Sequence, residues 1–174
     1  MALVLGYVER MIPVLDGSIP GVKLGLSNVV ILFGLYIMGP RDAFLLMVLK
    51  VLLLGLMFTG LFSTTMMVSF GGGCLSWLAM MLFMRLPGTS VLSVSILGAV
   101  AHNVGQTLTS SIILQTYQLL FTYLPAILVS AVVTGVLTGL AAQRVIGALQ
   151  KSGVIRNILA ERGKRQKIAA ETGK

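Results

Sequence analysis

From position 91 to 116 the chain reads VLSVSILGAVAHNVGQTLTSSIILQT, with no Asp, Glu, Lys or Arg. A helix crosses a bilayer with about 20 mainly apolar residues, and this run is long enough. Residues 22–38, 43–65 and 123–149 meet that length or nearly so, and 68–84 is a shorter fifth run. The chain is 56% hydrophobic and 10% charged, whereas soluble domains carry roughly 25% charged residues. Soluble cores do not need this much apolar surface, but a bilayer does. The expectation is an all-α, polytopic integral membrane protein. Residues 1–12 precede Pro13 and make only about 18 Å of helix, short of a hydrocarbon core of about 30 Å. They are either a partial helix or the remainder of a helix that begins upstream, and the second reading is favoured. The count is then about six transmembrane helices, the first one truncated.

Charge divides the chain. Residues 144–174 hold eight basic and two acidic side chains, and the remainder holds five and three. The organisation predicted is a transmembrane helical domain over 1–150 and a basic cytoplasmic tail over 151–174. The positive-inside rule puts that tail in the cytoplasm. Counting back, Arg41 and Arg85 fall in inner loops, while 62–69 and 117–122 fall outside and carry no charge. Lys23, near the outer end of its helix, is the discordant residue. Val154, Ile155, Ile158 and Leu159 have helical spacing beside the tail's basic residues. They read as a short helix on anionic lipid. Nucleic acid is not indicated, because no aromatics interleave the tail's charges.

The apolar run opened above holds the only histidine of the chain. Residues three and four apart share a helix face. His102, Asn103, Gln106, Thr107 and Ser110 therefore form a polar stripe about two turns long. Lipid tails cannot satisfy such groups, so the stripe must face other helices or a cavity. Two readings stand: interhelical glue, or the wall of a ligand pocket. Lys50 is deep in its apolar run, where a central lysine costs on the order of 2.5–3.5 kcal/mol. It either snorkels to the interface or answers an anionic ligand or a partner. Lys23 and Asn28, in IPGVKLGLSN, are either interfacial residues or a basic rim above the stripe. Lys23, Asn28, Lys50, His102, Asn103 and Gln106 are thus the candidate substrate-binding residues.

Small residues recur at four-residue spacing: Ala131, Gly135 and Gly139 late in the chain, Ala2 and Gly6 at its start. This spacing lets helices pack closely, inside the protein or against a partner. Gly71-Gly72-Gly73 either admits a close backbone or breaks its helix. A single cysteine, Cys74, forms no intramolecular disulfide. One histidine and few carboxylates suggest no metal site. No cofactor is implied.

The run PGVKLGLSNVVILFGLYIMGPRDAFLLMVLKVLLLG, the motif GAVAHNVGQ and the later Tyr-Leu-Pro resemble a family of small bacterial membrane proteins. This is the Gx transporter family, also called heptaprenyl diphosphate synthase component I. The resemblance covers about residues 5–149. That family in turn is similar to the S components of energy-coupling factor (ECF) transporters. The resemblance implies an S-component-like bundle that binds a small molecule near its outer face. It implies docking, through a small-xxx-small motif on the first helix, onto an ECF-type coupling membrane protein driven by two ATPases. Ala2 and Gly6 would be what remains of that motif. The setting implied is the bacterial cytoplasmic membrane.

The synthase label is not supported as a catalytic assignment. Prenyl elongation uses paired aspartate-rich motifs to hold Mg²⁺ on a diphosphate. Asp16 and Asp42 are the only aspartates here, so there is no DDxxD. No GxxxxGK phosphate loop exists either. The chain is expected not to be an enzyme. Its function is read as the substrate-binding component of an ECF-type importer for a small, anionic or isoprenoid-related molecule. The alternative is a non-catalytic membrane partner of a heptaprenyl diphosphate synthase.

Overall fold

In the computed structural model, residues 26–60 and 62–151 are described, and every element among them is helical. The helices are α1 (Leu26–Ile37), α2 (Pro40–Leu54), α3 (Thr64–Phe83), α4 (Val91–Ile113) and α5 (Gln118–Lys151). A π-helical turn, Gly55–Thr59, follows α2. The chain is an all-α membrane protein by composition and helix length. Thr64–Phe83, Val91–Ile113 and Leu124–Ala148 are each long and apolar enough to cross a membrane. The expected first helix, with Ala2 and Gly6, lies outside the described residues, as do Lys23 and the tail from 152. The chain divides into two units, Met1–Ala142 and Gln143–Lys174.

Local chemistry sets the helix ends, and in two places it moves them from where hydropathy alone put them. The run 43–65 is not one helix. It ends as α-helix at Leu54, loosens into the π turn, and stops at Gly60, whose φ of 83° suits glycine. The next helix begins at Thr64 rather than 68, because the Ser63 side chain caps it, accepting the Met66 N–H at 3.2 Å. Ser90 caps α4 in the same way, from Ser93 N–H at 3.1 Å. Pro40 opens α2, where its missing N–H costs nothing. Gly39 before it and Gly88 before α4 have φ of 98° and 85° and turn the chain. Helix α4 closes with Thr116 N–H on Ser111 O at 3.1 Å and Gln115 N–H on Ile112 O at 3.3 Å. This is a Schellman ending with Gln115 in the left-handed position at φ 51°.

Contacts give the order of the helices in the first unit. Met66 of α3 lies over Gly55, and Trp77 Nε1 donates to Pro40 O at 2.9 Å. Helices α2 and α3 are therefore antiparallel. Thr109 of α4 lies over Gly71, and Ser76 Oγ donates to Gly98 O at 2.8 Å, so α3 and α4 are antiparallel too. The start of α2, the end of α3 and the start of α4 consequently share one end of the unit.

The buried core is Ile31, Leu32 and Leu35 of α1, Ala43, Met47 and Val51 of α2, Met80, Val94 and Ala142. Outward, Leu45, Leu49, Leu52 and Leu56 form an exposed apolar stripe along α2 and the π turn, and α3 and α5 expose similar residues. In water so much exposed apolar surface is a liability. Against lipid it is the ordinary outer surface. Ser76, Ser95, Thr107, Thr134 and Thr138 are buried instead. With apolar side chains outside and hydroxyls within, helix association depends on close packing and hydrogen bonds.

Candidate functional site

His102 and Gln106 of the α4 stripe turn toward α3. A Cβ on Gly72 would lie 2.5 Å from Gln106 Cγ and 2.8 Å from His102 O. His102 Cε1 would be 3.3 Å away. Gly105 of α4 is equally tight, its Cβ position falling 2.9 Å from both Gly71 O and Gly72 Cα. The three glycines do not break α3, which runs unbroken from Thr64 to Phe83. They remove side chains where two backbones meet and where His102 and Gln106 need room. His102, Asn103 and Gln106 are half-buried. Hydroxyls beside them bond within their own helix: Thr107 Oγ1 donates to Asn103 O at 2.9 Å and Thr109 Oγ1 to Gly105 O at 2.8 Å. The structure thus brings His102 and Gln106 together on Gly72, in a packed helix contact.

Lys50 is 9% exposed. It shares the buried side of α2 with Ala43 and Met47, away from the exposed Leu45, Leu49 and Leu52. A lipid-facing snorkelling lysine would lie among those leucines, so this side chain is turned inward. The register gives its depth. Met47 lies over Gly73 and Gly55 over Met66, so Lys50 is level with the glycines that receive the α4 stripe. Asn28 is on α1; its side chain, like Lys23, is outside what is described.

The small-residue seam of α5 is occupied by α4. A Cβ on Gly135 would lie 2.7 Å from Ile96 Cα, and one on Gly139 2.8 Å from Leu92 Cδ1. Ala131 is fully buried. Gly135 and Gly139 join two helices of one chain, and that contact takes up the face they would offer a partner. Ser95 Oγ crosses the seam to Gly135 O at 2.9 Å and lies 3.0 Å from Thr138 Oγ1, which donates to Thr134 O at 2.8 Å. Sequence reading did not single out Ser76, Ser95 or Thr138. The available signal was a hydroxyl next to a glycine or alanine within an apolar span. Among the described residues, no three His, Cys, Asp or Glu side chains are placed to hold a metal.

Apolar helices packed through glycines and buried hydroxyls, with leucines outward, define an all-α integral membrane protein with a polar, lysine-containing level inside it. The family model for heptaprenyl diphosphate synthase component I matches residues 1–145, and the chain belongs to that family. No curated protein and no solved structure matches it. Component I is a non-catalytic subunit, in keeping with a chain that is not itself an enzyme, and membership implies a partner subunit.

Proposed function

We propose that this chain is the membrane-embedded, non-catalytic component of a heptaprenyl diphosphate synthase. In this reading it holds the catalytic partner, component II, at the cytoplasmic face of the bacterial cytoplasmic membrane. Family membership over residues 1–145 is the observation that carries it. The chemistry supports it: a prenyl product is too apolar for water, and a synthase held at the bilayer delivers it where it dissolves. Elongation needs paired aspartate-rich motifs, and this chain has none, so the chemical step belongs to the partner. The basic tail, residues 151–174, would lie against anionic lipids on the same face.

A second reading is favoured by one observation, the inward Lys50 level with His102 and Gln106. Intramembrane cations mark ligand or ion paths. In that reading the chain is an S component that binds a small anionic molecule through Lys23, Asn28, Lys50, His102, Asn103 and Gln106, and works with an ECF coupling protein and two ATPases. One experiment separates the two. The tagged full-length protein is extracted in mild detergent from its native cell, and its companions are identified by mass spectrometry. A prenyl synthase subunit without ATPases supports the first reading. Two ATPases with a polytopic coupling protein, and no synthase, refute it.

A further inference from the structure

The two ends of the first unit differ in chemistry. One end gathers the start of α2, the end of α3 and the start of α4, tied by the Trp77–Pro40 hydrogen bond of 2.9 Å. It carries Arg41 and Arg85, both exposed, and the half-buried Asp42. No side-chain bond or ion pair among the described residues occupies either guanidinium. The opposite end, over residues 56–60, 62–63 and 112–117, has no charge. It presents Phe62 at 81% and Tyr117 at 71% exposure, aromatics suited to a membrane interface.

The arginine end also has a shaped knuckle. Arg85 N–H bonds Leu82 O at 3.2 Å and Leu86 N–H bonds Phe83 O at 3.1 Å. Thr89 Oγ1 donates to Leu86 O at 3.1 Å, and Gly88 turns the chain at φ 85°. The knuckle projects Arg85 beside Leu86, which is 53% exposed. Arginine is enriched among the few residues that dominate a protein interface, and an exposed leucine beside it adds apolar area to bury. A loop already held in shape loses little entropy on binding.

Resting on the synthase reading above, we propose that the Arg41–Arg85 end, centred on the Arg85-Leu86-Pro87 knuckle, is the docking face for the catalytic subunit. That subunit meets it with an acidic surface and a small apolar socket for Leu86. Among the described residues, the opposite end offers such a partner no complementary charge. A soluble subunit that must stand at one face of the membrane therefore meets the arginines.

The test is co-expression of the tagged full-length chain with the catalytic synthase subunit, and measurement of their affinity in a neutral detergent. Arg41→Glu combined with Arg85→Glu is expected to weaken binding about 30-fold or more, and Leu86→Ala about tenfold. Tyr117→Ser, at the other end, leaves binding unchanged. Each variant is first checked for normal membrane insertion and melting. The proposal is overturned if the double reversal inserts normally and binds the subunit like wild type. It is also overturned if binding in detergent is intact and only attachment to anionic phospholipid vesicles falls, because the arginines then serve lipid headgroups. If the wild-type chain itself binds no prenyl synthase, the synthase reading fails, and the proposal with it.

Discussion

Gly135→Ala tests the packing argument most directly. The added methyl carbon would lie 2.7 Å from Ile96 Cα and 3.2 Å from Ala99 Cβ. The first neighbour is backbone, so no rotamer change relieves it. Moving from 2.7 Å to 3.4 Å, the edge of ordinary contact, requires α4 and α5 to part by roughly 0.7 Å. The Ser95 Oγ to Gly135 O bond, now 2.9 Å, would stretch to roughly 3.6 Å and cease to be one. Overpacking of this kind costs about 1–3 kcal/mol, and an interhelical hydrogen bond in a membrane about 0.6 kcal/mol. Alanine's better helix propensity returns at most about 1 kcal/mol. The net expectation is a loss of about 2 kcal/mol. Gly73→Ala is the control. Its new methyl would meet Met47 Sδ at 2.9 Å and Cγ at 3.1 Å, a flexible side chain that can adjust, and alanine's helix propensity, up to about 1 kcal/mol, offsets that repacking, so the net effect should be within about 0.5 kcal/mol of zero. Both variants are measured by reversible unfolding from mixed micelles with increasing SDS. If Gly135→Ala is no more destabilising than Gly73→Ala, the close α4–α5 contact is not what holds these helices together.

Three further outcomes are expected. Ser76→Ala removes a buried 2.8 Å bond to Gly98 O and should cost about 0.6–1 kcal/mol in the same titration. Gln115→Gly should stabilise by about 1 kcal/mol, seen as a higher melting temperature in detergent, because Gln115 ends α4 at φ 51° where glycine has no steric penalty. His102→Ala vacates the space over Gly72 and should lower stability by about 1–2 kcal/mol. It should leave recovery of the catalytic subunit unchanged; loss of that subunit with the fold intact would count against docking at the Arg41–Arg85 end.

Helix existence was legible because it follows from apolar length. The runs at 91–116 and 123–149 correspond to α4 and α5, shifted by a few residues. The ends were less legible. The run 43–65 reads as one long helix, since hydropathy does not register Gly60 at φ 83° or the Ser63 cap. Both are local backbone events whose energies are small beside the summed apolar signal. The candidate site was legible as a list of polar residues on one face, His102 with Gln106. What that face meets was not, because periodicity along one helix carries no information about its neighbour.

The sequence by itself determined that this chain is an all-helical membrane protein, since no other backbone arrangement satisfies runs so apolar and so long. It also determined that the chain carries no aspartate-rich motif for prenyl elongation. The tertiary structure decided how the glycines are used. Gly71 receives Thr109, Gly72 receives His102 and Gln106, Gly73 receives Met47, and Gly135 and Gly139 receive α4. It also decided that Lys50 turns inward, and that Arg41 and Arg85 share one end. A glycine in the sequence records only a missing side chain; which atoms fill that space depends on how the helices lie against one another.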